Sequence, residues 1–202
     1  MSVVEPARPV VEPVETYRYD VEILHLLVSP GHAYFGRARD GAADVPTVDA
    51  EQAEVVAGKG IVGDRFFGKA AHMDAAVTLF AVESLEAIAA ELGAGPFDPL
   101  LTRRNVVLRG AQLAPLLGQD FVLESGGSAV TLHAGRHAQP CAWMNQVLAP
   151  GAHAAMRGRG GIRCRAVSGG FLHRGPAVLV SPVPLDPVQA GVPSVLRPSR
   201  LP

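Results

Sequence analysis

The chain has 202 residues and a formal net charge of −1 at neutral pH. This length suits a single domain with its own core, and the near-zero charge excludes the strong positive field that attracts nucleic acid or an anionic membrane. Aromatic residues make up only 5% of the chain, so a core must rely mainly on Val, Leu, Ile and Ala.

Both ends of the chain are expected to lie outside the folded domain. Residues 1–19 are rich in Pro, Val and Glu without a helical period, which predicts a flexible N-terminal arm. They also lack the basic start and apolar core of a signal peptide. Residues 182–202 contain six prolines, which cannot continue a strand or a helix. The folded domain is therefore predicted to span residues 20–181.

Short apolar segments bounded by Gly and Pro predict β-strands along most of this domain. In the segment 161–167, alternation places Cys164 on an apolar face and Arg163 and Arg165 on the opposite face. The predicted strands, in chain order, cover residues 21–28, 76–80, 105–108, 121–123, 129–132, 161–167 and 177–180.

Two segments show helical spacing. Residues 82–92 place apolar side chains on one face, and Gly93 follows as a C-cap. A second helix is predicted to begin at Pro140, because proline suits the first helical position. Many short strands with few helices predict a mainly β (α+β) fold that forms a closed or nearly closed β-barrel. The predicted elements do not alternate regularly between strand and helix, so a parallel sheet is not expected.

The two cysteines have different contexts. They form no CxxC pair, so we expect reduced thiols and a cytoplasmic location. Cys164 is predicted to be a small core residue. Cys141 is placed in the first turn of the predicted second helix, where the helix dipole favours a thiolate. It is either a reactive nucleophile or soft-metal ligand, or a small buried side chain.

A zinc site built from His133, His137 and Cys141 is disfavoured. The three residues are spaced four apart, but Gly135 and Pro140 interrupt any single helix that would present them together.

Two polar clusters could bind an anion. In the first, Gly63 permits a positive φ or a close ligand, and Asp64 can orient Arg65; the alternative is a turn with a surface ion pair. In the second, Arg103 and Arg104 offer guanidinium groups that match phosphate or carboxylate, and Asn105 could bond a polar ring edge. The alternative is a solvated strand end.

In their order along the chain, these segments resemble the MOSC family, named after the C-terminal domain of molybdenum cofactor sulfurases. Residues 60–68 are similar to its GxxGDRxxG segment and residues 103–121 to its RRN stretch with the leucines that follow. Pro140-Cys141 matches the family's Pro-Cys. The resemblance extends over about residues 25–180 and includes the strands after Gly160. One departure is Arg174-Gly175-Pro176, where the family often has Gly-Asp.

The resemblance implies a MOSC-type barrel that binds molybdenum cofactor or carries sulfur. In relatives such as amidoxime-reducing enzymes the matching cysteine ligates molybdenum, so Cys141 is the implied catalytic residue and metal ligand. Pyridoxal phosphate is not expected, because the chain lacks the separate domain that binds it in sulfurases. The implied cofactor-binding residues are Gly63, Asp64, Arg65, Arg103, Arg104 and Asn105.

Three hypotheses about function remain open. The first is a protein that binds molybdenum cofactor or carries a persulfide on Cys141, and that reduces N-hydroxylated small molecules with a partner reductase. The second is a metal-free sulfur-transfer or detoxification protein with Cys141 as nucleophile, supplied by a cysteine desulfurase or sulfurase. The third is a non-catalytic cofactor-binding module. None of them requires a nucleic acid or a membrane as partner.

Overall fold

The computed structural model describes residues 15–37 and 40–194. Most of the predicted N-terminal arm and the last eight residues of the predicted tail therefore lie outside the described residues. The elements, in chain order, are β1 (Tyr17–Val28), β2 (Val48–Asp49), β3 (Gln52–Val56), β4 (Gly60–Ile61), β5 (Val77–Ala81), α1 (Val82–Leu92), β6 (Val106–Arg109), β7 (Asp120–Ser125), β8 (Ser128–His137), α2 (Met144–Val147), α3 (Ala152–Ala155), β9 (Ile162–Ala166), β10 (Gly170–His173) and β11 (Gly175–Ser181).

Seven strands close into a barrel in the order β11-β7-β8-β9-β5-β6-β1, and β1 pairs again with β11. The prediction of a mainly β, closed barrel is thus confirmed. Strands β5 and β6 are parallel, whereas the other barrel neighbours are antiparallel. A closed ring with an odd number of strands requires at least one parallel pair, and α1 supplies the crossover between β5 and β6.

The single strand–helix–strand unit corrects the expectation that no such unit exists. The three segments were each predicted from their sequence, but their parallel pairing was not. Pairing direction depends on where the crossover returns to the sheet, and residues within each segment carry little information about this.

The barrel interior is filled by the inward side chains of all seven strands. In β9, Ile162, Cys164 and Ala166 are buried while Arg163 and Arg165 point outward, as the alternation predicted. Each large apolar side chain that is fully buried here contributes roughly 1.5–3 kcal/mol. The largest of these interior side chains are Phe121, Ile23, Leu26, Leu79, Leu108, Leu123 and Leu132.

The three helices cover the outside of β5 and β6. Phe80 and Val107 point away from the barrel and pack with Leu85 and Ile88 of α1 and with Trp143. Strand β5 is therefore buried on both faces, which explains why its sequence is continuously apolar. No helix in the described ranges is long and apolar enough to cross a membrane.

The predicted second helix begins later than expected. Residues 142–143 form a turn, which is closed by a hydrogen bond from the Met144 N–H to the Cys141 carbonyl at 3.0 Å, and α2 has only four residues. A segment this short does not form a helix by itself, and the packing of Trp143 and Met144 against α1 fixes its position instead. Helix α1 and its Gly93 C-cap are as predicted.

A second sheet of three short strands, in the order β10-β3-β4, was not predicted. Its buried residues Ala53, Val55, Ile61 and Leu172 belong to the same core as the barrel interior. These strands have two to five residues, too few for alternation to separate them from loops.

Ordered contacts extend past both predicted domain boundaries. Tyr17 to Tyr19 pair with β11, so β1 begins inside the predicted arm. On the C-terminal side, Leu185 is 8% exposed and its N–H donates to the Tyr19 hydroxyl at 2.6 Å. The prolines do not prevent this packing, because Pro187 opens a 3₁₀ turn, a position that needs no backbone donor.

Leu185→Ala should lower the free energy of unfolding by about 2 kcal/mol, since a buried side chain is removed and a cavity is left. Urea unfolding followed by Trp143 fluorescence measures this difference. Val188→Ala is the matched control, because Val188 in the same segment is 85% exposed. Equal stability of the two variants would show that residues 182–194 do not contribute to the core.

Candidate functional site

A polar cavity of about 170 Å³ opens beside the barrel, between the loop after β1 and the turn before α2. We call it the arginine cavity, because Arg65, Arg103, Arg104 and Arg163 line it. Its other lining residues are His32, Ala33, Tyr34, Phe66, Thr78, Thr102, Gln139, Cys141 and Met144.

Arg65 is positioned by the turn after β4. Gly63 has a φ of +82°, which a side chain would strain, and the turn directs the Asp64 carboxylate inward. The Asp64 side chain is fully buried and accepts from the Arg65 guanidinium at 3.3 Å and from the Phe66 N–H at 3.1 Å. Arg65 also donates to the Arg103 carbonyl at 3.3 Å. Its Nε atom, although buried, has no hydrogen-bond partner.

Asn105 does not line the cavity and instead supports the residues behind its wall. Its side chain is completely buried and donates to Asp64 at 3.0 Å and to the Leu27 carbonyl at 3.2 Å. Its Oδ1 accepts from the Thr78 N–H and hydroxyl. Asn105 therefore fixes Asp64 against β1 and β5, and Asp64 in turn holds Arg65. Gly63 likewise acts through the turn.

Arg103 and Arg104 reach in different directions. Arg103 has a φ of +53°, the one non-glycine residue of the described chain in the left-handed region, a conformation that costs about 1–3 kcal/mol. Its guanidinium donates to the Ser29 hydroxyl at 2.8 Å and to the Gly31 carbonyl at 3.0 Å. Arg104 instead donates to the Gly160 carbonyl at 3.0 Å. The left-handed conformation of Arg103 thus directs the Arg103 and Arg104 guanidinium groups to different walls of the cavity.

On the Arg104 side of the cavity, Gly161 allows its own backbone to lie close to the backbone of Leu79. A Cβ at this position would overlap the Leu79 carbonyl oxygen, and its φ is +89°. The neighbouring Gly160 and Ala138 carbonyls are thereby brought within reach of the Arg104 guanidinium.

The cavity is strongly cationic. None of the lining residues is Asp or Glu, although the buried Asp64 carboxylate pairs with Arg65. Burial, with a smaller contribution from Arg163, lowers the pKa of Arg104 to about 10. Burial also lowers the pKa of Arg65, Arg103 and Arg163. Charges that are desolvated without an acidic partner are expensive, so an anion in the cavity would be favoured.

His32 adds a neutral donor or acceptor to this wall. Burial lowers the pKa of His32, as do the nearby cations Arg65, Lys69 and Arg103. The ring is therefore uncharged at neutral pH, and packs edge-on against Phe66 with centroids 5.2 Å apart.

Cys141 lies on the rim of the cavity, and its thiol is free and exposed. It precedes the four-residue α2, so the predicted first helical turn around it does not form, and it lies close enough to Arg104 for an electrostatic interaction. Cys164 is buried, and burial raises the pKa of its thiol far above the usual range. Solvent and reagents can thus reach the Cys141 thiol but not the Cys164 thiol.

Tyr34 gives the site an aromatic edge and stacks on the buried Trp143, which does not itself line the cavity. Their rings stack with centroids 5.4 Å apart, and the Tyr34 hydroxyl donates to the Leu101 carbonyl at 2.8 Å. Trp143 is the one tryptophan of the chain, so its fluorescence reports on this edge alone.

The structure brings Arg65, Arg103, Arg104 and Cys141 together, but sequence reasoning did not select His32, Tyr34 or Arg163 as site residues. Arg163 could have been found from its place on the polar face of β9. His32 and Tyr34 come from a loop whose position no local pattern reveals.

The disfavoured zinc arrangement does not form. His133 pairs with Asp120 at 2.7 Å, and His137 lines a cavity that does not include Cys141. Among residues 15–37 and 40–194, no three His, Cys, Asp or Glu side chains converge in a way that could hold a metal ion.

Arg174, at the departure from the family pattern, lies outside the arginine cavity. It donates to the Leu24 carbonyl at 3.0 Å and to Glu51 at 3.0 Å. This position ties β1 to the loop before β3.

A thiol-specific reagent should modify one cysteine of the native protein and two after denaturation, because Cys141 is exposed and Cys164 is buried. Mass spectrometry of the modified chain locates the label. Native Cys141→Ala should take up no label and native Cys164→Ala should take up one. Labelling of Cys164 in the native state would contradict its placement in the core.

Inorganic phosphate should bind in the arginine cavity and change Trp143 fluorescence. Arg163→Gln should weaken binding about tenfold, the loss expected when a charge-assisted hydrogen bond is removed. The Arg163 side chain has no hydrogen bond or ion pair within the described structure, so this variant should fold normally. Arg157→Gln, an exposed change outside the cavity, is the control. Equal affinity of both variants would exclude the cavity as the phosphate site.

Comparison with known proteins agrees with this architecture. The YuaD protein from Bacillus subtilis shares 18% identity with a TM-score of 0.62, over 83% of this chain and 98% of that chain. YiiM from Geobacillus stearothermophilus shares 20% identity with a TM-score of 0.54, over 79% and 74% of the two chains. No curated protein matches significantly. At such identities the solved structures establish the fold alone.

The family assignment comes from the sequence match. The MOSC domain model matches residues 58–179, more than half of the chain. The match contains most of the arginine cavity, including Arg65, Arg103, Arg104 and Cys141. The chain therefore belongs to the MOSC domain family.

Proposed function

We propose that this protein binds the phosphate-bearing pterin of molybdenum cofactor in the arginine cavity, with the Cys141 thiolate as the protein ligand of molybdenum. The observation that carries the proposal is the composition of the site: four arginines line one cavity without a carboxylate, and an exposed thiol stands on its rim. A phosphate fits the first feature, and a soft metal fits the second.

The residues present fit such a ligand. Among the described residues the buried Arg65 Nε has no partner, so a donor remains for an anionic oxygen. The volume of about 170 Å³ is small beside typical ligand pockets of roughly 300–1,000 Å³. The cavity therefore suits the phosphate end, and the remainder of the ligand would extend over the rim towards Cys141.

Each residue has a definable task in this proposal. Asp64 and Asn105 hold Arg65 in place, while Arg104 and Arg163 contribute positive charge and hydrogen-bond donors. Tyr34, stacked on Trp143, offers an aromatic edge that would shield one side of the ligand from water. Cys141 holds the metal through sulfur.

When bound, molybdenum would supply two-electron redox chemistry for a small substrate, such as the reduction of an N-hydroxylated compound. Electrons would then come from a separate reductase, which we propose as the partner.

A metal-free sulfur-transfer protein is the second candidate. The exposure of Cys141 beside Arg104 favours it, because an accessible thiol near a cation can act as a nucleophile or carry a persulfide. A cysteine desulfurase or sulfurase would supply the sulfur in this case. The two candidates differ in whether activity survives removal of the metal.

Protein purified from a host that makes molybdenum cofactor should contain molybdenum and pterin, each approaching one per chain. Metal analysis and the fluorescence of the oxidised pterin measure the two. Cys141→Ala should lose molybdenum, because a thiolate ligand is removed. Cys164→Ala is the matched control and should retain it if it folds, since Cys164 faces the core.

Absence of both signals from the wild-type protein, even after reconstitution with free cofactor, would overturn the molybdenum proposal. A persulfide assay on Cys141 would then test sulfur transfer. Equal molybdenum in wild type and Cys141→Ala would exclude Cys141 as the ligand while leaving the cavity as the cofactor site.

A further inference from the structure

A second polar cavity, of about 450 Å³, lies on the outer face of β8 and β9. We call it the outer cavity. Its ionisable residues are His72, Asp74, His133, Arg136 and Arg165. None of them belongs to the site described above.

A β-bulge aims Arg136 into the outer cavity. The pairing of β8 with β9 shifts between Ala134 and Arg136, so Gly135 is an extra residue in β8. Without the shift, alternation would turn Arg136 to the buried side occupied by Ala134. With it, Arg136 pairs with Arg163 and His133 pairs with Arg165. Paired residues share a face, so all four lie on the outside of the sheet.

Like charges on this outer face of β8 and β9 repel each other. Like charges directly opposite each other destabilise an antiparallel pair, and Arg136 faces Arg163. Neither guanidinium has an ion pair or hydrogen bond within the described ranges. The carboxylates nearby do not neutralise them: Asp74 lies 3.6 Å from Arg165 and is mostly exposed, and Asp120 pairs with His133.

The outer cavity adjoins the arginine cavity. Arg163 lines the arginine cavity, and Arg136, which lines the outer one, is close enough to lower its pKa further. On the other side, the Phe66 ring contacts His32 of the arginine cavity at 5.2 Å and His72 of the outer cavity at 4.7 Å. One aromatic ring and one arginine pair therefore separate the two spaces.

We propose that the outer cavity is a second anion subsite, formed by Arg136 and Arg165, for a small molecule whose two anionic groups span both cavities. The inference rests on the proposed function in one respect: the first anionic group lies in the arginine cavity. The second group is a phosphate. It belongs either to an extension of the cofactor beyond its first phosphate or to a phosphorylated substrate. The concave shape favours a small ligand over an acidic protein surface.

Orthophosphate and tripolyphosphate distinguish one subsite from two. Calorimetric titration at constant ionic strength should show tighter binding of tripolyphosphate to the wild-type protein. Arg136→Gln and Arg165→Gln should each weaken tripolyphosphate binding about five- to tenfold and change orthophosphate binding less than about twofold. Arg157→Gln, which removes the same charge elsewhere, should change neither.

Asp74→Asn provides a test in the opposite direction. Asp74 competes with an incoming anion for Arg165, so its neutral variant should bind tripolyphosphate about two- to threefold more tightly. A gain in affinity cannot arise from misfolding. If the Arg136 and Arg165 variants match Arg157→Gln, or if Asp74→Asn binds no more tightly, the second subsite does not exist.

The source of the second phosphate is read from the cofactor released by denaturing the loaded protein. A pterin attached to a nucleotide, detected by mass spectrometry, would identify the cofactor extension. A pterin with a single phosphate, together with Arg136-dependent binding of tripolyphosphate to the loaded protein, would identify a phosphorylated substrate. Loss of molybdenum binding alone would overturn the proposed function and leave the anion result intact.

Discussion

The buried carboxylate of Asp64 is the interaction on which the site depends. A charge without solvent exposure persists only when it is paired and hydrogen-bonded, and Asp64 has three donors: the Phe66 N–H, the Arg65 guanidinium and the Asn105 amide. Through these bonds it joins the turn after β4 to the start of β6. The direction of Arg65 into the cavity is a consequence of this network.

The rest of the site holds several arginines close together at a cost in folding stability. Arg103 occupies a strained backbone conformation, and Arg104 is held by carbonyl oxygens without an acid. Arg136 and Arg163 face each other across two strands. Each arrangement costs stability, and an anion bound as proposed would offset the electrostatic part of that cost. Such costs are typical of functional sites.

The barrel gives these loops a rigid base. Its seven strands surround a core of aliphatic side chains, and the helices outside β5 and β6 fix the turn that carries Cys141. Residues 182–194 complete the core through Leu185 and Ala190. Precision in the cavity thus rests on packing that extends beyond the predicted domain limits.

The sequence by itself determined the barrel strands, helix α1 and the family, because alternation, caps and short motifs are local properties of the chain. It also selected Arg65, Arg103, Arg104 and Cys141. Only the tertiary structure decided that Asn105 is a buried support, that β5 and β6 run parallel, and that His32, Tyr34 and Arg163 join the cavity. These outcomes depend on contacts between segments distant along the chain, and no local pattern encodes which segments meet.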